Sequence, residues 1–198
     1  ALPISFNLEI MVLSMYKVYP KIILACLLLV MTGTVYSQRV TQTINDGWKF
    51  SLFEGDASTA DFDISGWTDV SIPHTWNAKD ADDEISGYFR GKGWYRKVVA
   101  VEELIPEQRV YLSFEGANQE TNVFVNGTFV GNHKGGYSAF TFDVTDYVHA
   151  GRNLIAVSVD NSHNPDIAPL SADFTFFGGI YRDVYLVYTS PEIGRAHV

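Results

Sequence analysis

Two runs of β-branched and aromatic residues, Val123-Phe124-Val125 and Thr128-Phe129-Val130, are separated only by Asn126-Gly127. A two-residue connection between paired strands needs positive φ at both centres, which asparagine and glycine tolerate best. The octapeptide therefore predicts a type I′ β-hairpin. Alternation along its first arm puts Val123 and Val125 on one face and Phe124 on the other. A lone hairpin is not stable in water, so further strands must cover it. From residue 38 to residue 191 no segment carries a helical period of convincing length. Short β-rich runs instead recur between turn residues, at 48–52, 70–72, 94–101, 110–114, 122–125, 128–132, 139–142, 153–159 and 183–188. That spacing predicts an all-β sandwich. An aromatic content of 14%, with 13 Phe and 11 Tyr, leans the same way. Asp143-Val144-Thr145-Asp146-Tyr147-Val148 reads as a single turn in which Asp143 or Thr145 accepts from early backbone amides. Neither an internal repeat nor a low-complexity linker divides residues 38–190, which read as one domain.

The flanks read differently. Lys17 and Lys21 precede an apolar run from Ile22 to Met31, and Val35 and Ser37 then form a small-residue pair before Gln38. This is the pattern of a secretory signal peptide over residues 15–37, cut after Ser37, and it implies export to the periplasm or the exterior. The run is about half the ~20 residues that a spanning helix requires. Cys26 lies too early in it, with the apolar core continuing behind, to be a lipid-bearing first residue. Once the signal is removed no cysteine remains, so stability cannot rest on disulfides. Residues 1–14 read as an upstream leader, with Met11 and Met15 both possible starts. Residues 192–198 read as a non-native tail, because Glu-Ile-Gly-Arg-Ala-His-Val is what a common sequencing adapter would encode.

Charge and motifs narrow the chemistry. A formal net charge of −9 argues against nucleic acid as a partner. No nucleophile elbow, phosphate loop or zinc spacing occurs, and His74, His133, His149, His163 and His197 never pair at metal-binding spacing. Asp80, Asp82, Asp83 and Glu84 crowd one loop without the spacing of a calcium site, and read as a solvated acidic loop. His74 reads as a packed strand end, and Gly91-Lys92-Gly93 as a place of close backbone approach. Asn126-Gly127-Thr128 also matches a glycosylation sequon, although the hairpin accounts for it without one.

The most informative stretch is the long polar loop from Asn161 to Leu170 and the aromatic, glycine-rich segment behind it. Rings that stack on sugar faces, beside amides and carboxylates that meet hydroxyls, suit carbohydrate. Loop packing alone would account for the same residues.

Asp173-Phe174-Thr175-Phe176-Phe177-Gly178-Gly179-Ile180-Tyr181-Arg182-Asp183-Val184 resembles the closing motif of the N-terminal sugar-binding domain of glycoside hydrolase family 2, which holds β-galactosidases, β-glucuronidases and β-mannosidases. Ile72-Pro73-His74-Thr75-Trp76-Asn77, Gly93-Trp94-Tyr95-Arg96-Lys97, Phe114-Glu115-Gly116-Ala117 through Val125-Asn126-Gly127, and His133-Lys134-Gly135-Gly136-Tyr137-Ser138-Ala139-Phe140 agree with it in order.

The resemblance implies a galactose-binding-like jelly roll at the front of an exported β-galactosidase-like retaining exo-glycosidase. An immunoglobulin-like sandwich and a TIM barrel would follow, with both catalytic glutamates in the barrel, so this stretch alone would be inactive. It further implies that Asp173 reaches substrate hydroxyls or a sodium ion. No cofactor is required, although sodium or magnesium is possible in the full-length enzyme. Where β-galactosidases carry an asparagine before the Gly-x-Tyr strand, this sequence has Arg90, a departure from simple lactose-type specificity. Arg90 then meets an anionic or branched sugar, or pairs with the acidic loop. With Asn161, these are the expected substrate-binding residues. A stand-alone carbohydrate-binding module and a structural domain without sugar contact are the competing readings.

Overall fold

The computed structural model describes residues 39–78, 80, 87–168 and 175–189. The expected leader, signal and tail lie outside them, as do Asp82, Asp83, Glu84 and Asp173. Ten strands follow in order: β1 (Val40–Thr43), β2 (Trp48–Leu52), β3 (Thr68–Val70), β4 (Lys92–Val101), β5 (Arg109–Phe114), β6 (Glu120–Val125), β7 (Thr128–Lys134), β8 (Phe140–Asp143), β9 (Gly151–Asp160) and β10 (Val184–Thr189). A 3-10 turn at Thr145–Tyr147 is the only helical element among the described residues. Every strand pair is antiparallel. One sheet has the order β1-β10-β5-β8 and the other β3-β2-β4-β9-β6-β7. The chain is an all-β sandwich, as its sequence implies.

Alternation along the strands builds the core. Val110, Leu112 and Phe114 of β5 face Val123 and Val125 of β6 and Ile155, Val157 and Val159 of β9 in one buried cluster, which Trp48, Tyr95, Val184 and Leu186 complete. Each such side chain contributes about 1.5–3 kcal/mol when fully removed from water. Packing on this scale makes a disulfide unnecessary.

The first half of β4 and the facing part of β9 are buried on both faces. Their outer face carries Trp94 and Ala156, covered by Ala57, Phe62 and Trp67 from the segment between β2 and β3. Trp94 Nε1 donates to Gly55 O at 3.0 Å and Arg96 Nη1 to Ala57 O at 2.8 Å, which fastens that cover. Burial lowers the pKa of Arg96, with Asp61 acting in the opposite sense.

The expected hairpin is present. Asn126 and Gly127 have φ of 51° and 82°, between the paired residues Val125 and Thr128. The Asn126 amide donates to Tyr147 O at 2.8 Å and to Asn153 Oδ1 at 2.9 Å, so that side chain is committed to the fold. The capped turn is also as expected, for Asp143 Oδ1 accepts from Thr145 N at 3.0 Å. Burial opposes ionisation of Asp143, but hydrogen bonds from Thr145 and then Arg109 hold its carboxyl below the ordinary carboxylate range.

Candidate functional site

Strand register decides which loops meet. β4 runs against β9 from Lys92 opposite Asp160 to Val101 opposite Gly151, and Glu120 of β6 also lies opposite Asp160. The segments before β4, after β9 and before β6 therefore leave the sandwich at one end. Asn118 and Gly179 form an isolated bridge there, which brings in the segment before β10. His74 N donates to Ile180 O at 2.7 Å and adds residues 73–78.

Two buried amides hold these loops together. Asn77 Oδ1 accepts from Gly178 N at 2.6 Å and from Asn161 Nδ2 at 3.3 Å, while its Nδ2 donates to Asp80 Oδ2 at 2.6 Å and Phe89 O at 2.8 Å. Asn161 Nδ2 also donates to Phe176 O at 3.0 Å and Phe89 O at 3.3 Å, and its Oδ1 accepts from Gly91 N at 2.9 Å. Both are essentially inaccessible, at 1% and 0% exposure. A buried amide earns stability only when its donors and acceptors are paired, and these are. Asp80 Oδ2 takes a further bond from Phe89 N at 2.8 Å, so it belongs to this framework rather than to a solvated acidic loop.

Close approach fixes the glycines. A Cβ on Gly178 would stand 2.1 Å from Trp76 Cζ2 and 2.8 Å from Asn161 Cγ, and one on Gly93 would stand 2.7 Å from Trp76 Cζ3. Gly179 has φ of +123° and packs on His74 O and the Tyr95 hydroxyl. Trp76 lies flat on Phe50, with centroids 5.8 Å apart and planes 13° apart. Tyr95 Oη is 2.8 Å from His74 Nδ1, so His74 is packed as expected, although it lies in the loop behind β3 and not at a strand end. Burial pushes the Tyr95 hydroxyl far up and holds the His74 imidazole below its ordinary value.

Above this floor lies a surface of rings and one guanidinium. Phe89 and Phe177 are both 46% exposed and Tyr137 is 55% exposed. Arg90 Cζ stands 4.8 Å from the Tyr88 ring centroid and 5.1 Å from that of Phe176, and Arg90 Nη2 donates to the Tyr88 hydroxyl. A hollow of about 180 Å³ opens between Asn77, Asp80, Gly87, Tyr88, Thr175 and Phe177. Sites that enclose a whole ligand usually measure roughly 300–1,000 Å³, so this hollow is the size of one wall of a site. A larger cavity of about 530 Å³, lined by Val40, Ala100, Glu102 and Tyr188 among others, lies where β4 and β10 end, at the far end of the sandwich.

The expected site residues thus part company. Arg90 is at the surface of the loop end. Asn161 turns inward with its amide committed to the framework, where it positions its neighbours. Asp173 lies outside the described residues. No group of three or more His, Cys, Asp and Glu among the described residues could hold a metal ion.

Sequence reasoning gave no role to Asn77 or Asn118. Asn118 Nδ2 donates to Phe177 O at 2.8 Å, and its buried Oδ1 has no partner among the described residues. Asn77 lies in the loop between β3 and β4 and Asn118 just before β6, and neither position reveals what its amide meets.

The fold and its loop end place the chain in the class of β-sandwich domains that present a binding surface at one end. It belongs to the family described as glycosyl hydrolases family 2, sugar binding domain, which matches residues 41–191. A β-glucuronidase of Bacteroides fragilis is 38% identical over 166 residues, covering 82% of this chain and 22% of that protein. A β-galactosidase of Thermoanaerobacter pseudethanolicus is 40% identical over 151 residues, covering 74% and 19%. The solved structure of Bacteroides uniformis β-glucuronidase 2, covalently bound to cyclophellitol-6-carboxylate aziridine, superposes with a TM-score of 0.71 at 46% identity. It covers 77% of this chain and 18% of that one. The chain thus spans about a fifth of the length of the relatives it matches.

Proposed function

We propose that this domain forms part of the substrate pocket of an exported family 2 glycosidase, a retaining exo-β-glycosidase whose catalytic carboxylates lie in the remainder of the parent protein. The observation that carries the reading is the buried Asn77–Asn161 pair, which fixes four loops so that Tyr88 and Phe177 line a hollow too small to be a complete site, with Arg90 packed against Tyr88 beside it. Relatives that match over most of the chain are named β-glucuronidase and β-galactosidase, which supports a β-linked sugar as substrate. Asp173 is the residue proposed to reach substrate hydroxyls, or a sodium ion, from this side. The segment at residues 15–37 supports export.

Assay of the full parent protein against aryl β-glucuronides, β-galactosides and β-mannosides tests the reading. Hydrolysis with retained anomeric configuration is expected, and none from residues 38–190 alone. Tight monosaccharide binding by the isolated domain, with no hydrolysis by the parent, would establish a free binding module instead.

A further inference from the structure

We infer that Arg90 selects substrates that carry an anionic group, a carboxylate or a sulfate ester, on the sugar. The inference rests on the glycosidase reading above and adds a specificity determinant to it.

The backbone on both sides of Arg90 is pinned. Phe89 N donates to Asp80 Oδ2 and Phe89 O accepts from the amides of Asn77 and Asn161. Gly91 N donates to Asn161 Oδ1 at 2.9 Å, and Gly91 O accepts from Asn161 N at 3.2 Å. Four backbone groups flanking half-buried Arg90 are thus bound to the side chains of Asn77, Asp80 and Asn161 or to the strand end. Holding a group in place before its ligand arrives lowers the ordering cost of binding.

The guanidinium has contacts of its own. It lies against Tyr88 and Phe176 and bonds the Tyr88 hydroxyl. A guanidinium has five N–H donors, and among the described residues that hydroxyl is the one acceptor it meets. The ion pairs among the described residues are Lys49–Asp69, Arg109–Asp143 and Lys134–Glu120, so Arg90 has no carboxylate partner there. Asp80, on the neighbouring hollow, has Oδ2 bonded to Asn77 and Phe89.

The chemistry of the guanidinium sharpens the choice. Exposed charges are screened within about 8–10 Å, so an acidic sugar is recognised by a cation in direct contact with it. A planar fork of N–H groups bonds a carboxylate or sulfate through two parallel hydrogen bonds, which an ammonium cannot reproduce.

The test uses the full-length parent enzyme and its Arg90→Gln and Arg90→Lys variants, assayed on aryl β-glucuronide, β-galacturonide, 6-sulfated β-galactoside and neutral β-glucoside and β-galactoside. R90Q is expected to lose at least about tenfold more kcat/KM on an acidic substrate than on a neutral one, since a hydrogen bond to a charged group is worth about 1.5–3 kcal/mol. R90K is expected to recover part of that ratio, and added salt to shrink it in the unaltered enzyme. Preferential loss on the uronides identifies a carboxylate, and on the sulfated sugar a sulfate ester. A ring staple without ligand contact would lower all rates together along with the melting temperature. Equal losses on acidic and neutral substrates overturn the inference and leave the glycosidase reading standing. Absence of hydrolysis on every β-glycoside overturns both. One arm needs no variant: glucuronate or galactose 6-sulfate must inhibit the unaltered enzyme more strongly than glucose and galactose, and equal inhibition contradicts the role of Arg90.

Discussion

Asn161 Nδ2 reaches Asn77 Oδ1 at 3.3 Å across 84 residues of chain, and both side chains are buried. Both residues are almost wholly buried, and together they hold the backbone of Phe89, Gly91, Phe176 and Gly178. The floor of the loop end is thus polar and saturated, and what lies above it inherits its rigidity.

Asn161→Ala is expected to cost about 3 kcal/mol, because it strands the Gly91 amide and the Phe176 carbonyl without partners. Urea unfolding of the domain checks this. Asn161→Asp keeps the size but turns a carboxylate toward the Phe89 and Phe176 carbonyls, and should be at least as damaging.

Gly178 and Gly127 should fail for different reasons. A methyl at 178 overlaps the Trp76 ring at 2.1 Å, and overpacking of this kind costs about 1–3 kcal/mol. A methyl at 127 meets nothing nearer than Thr59 Cα at 3.9 Å, but φ of +82° costs a non-glycine residue about 1–2 kcal/mol. Gly178→Ala should therefore impair the parent enzyme as well as lower its melting temperature. Gly127→Ala, at the far end, should lower the melting temperature alone. Parallel melting curves and kcat/KM for the two variants separate these outcomes.

His74 gives the fold an acid limb. Burial lowers its folded pKa below the ordinary value of 6.5. The unfolded chain takes up a proton as the pH falls through that value, while the folded imidazole stays neutral beside Tyr95. Its contribution is complete above about pH 6.5 and is lost on acidification down to the folded pKa. His133, also depressed by burial, acts in the same direction. Melting temperature followed from about pH 8 to pH 5 should fall, and His74→Gln should flatten the slope.

Much of the fold could be read from patterning. The β2 strand was legible residue for residue, and β4 through β10 within a few residues, because alternation and turn residues are local properties. Strand β1 was not legible, since all four of its residues are exposed and only pairing with β10 makes it a strand. Strand β3 lies at 68–70 instead of 70–72. Thr68, Asp69 and Val70 pair with Phe50, Lys49 and Trp48 of β2, while Ile72 is buried in the core from the segment that follows the strand. At the site, Arg90 was legible as a residue out of keeping with its motif. The inward turn of Asn161 and the part played by Asn77 were not, because a contact 84 residues apart leaves no local trace.

The most direct test of the domain's part in the pocket is kcat/KM for Asp173→Ala in the full-length parent enzyme, with melting temperature measured alongside. The account predicts a loss of at least about tenfold with the melting temperature unchanged, the size expected when a charged group loses its hydrogen bond to substrate. Unchanged kinetics in a folded variant would contradict it.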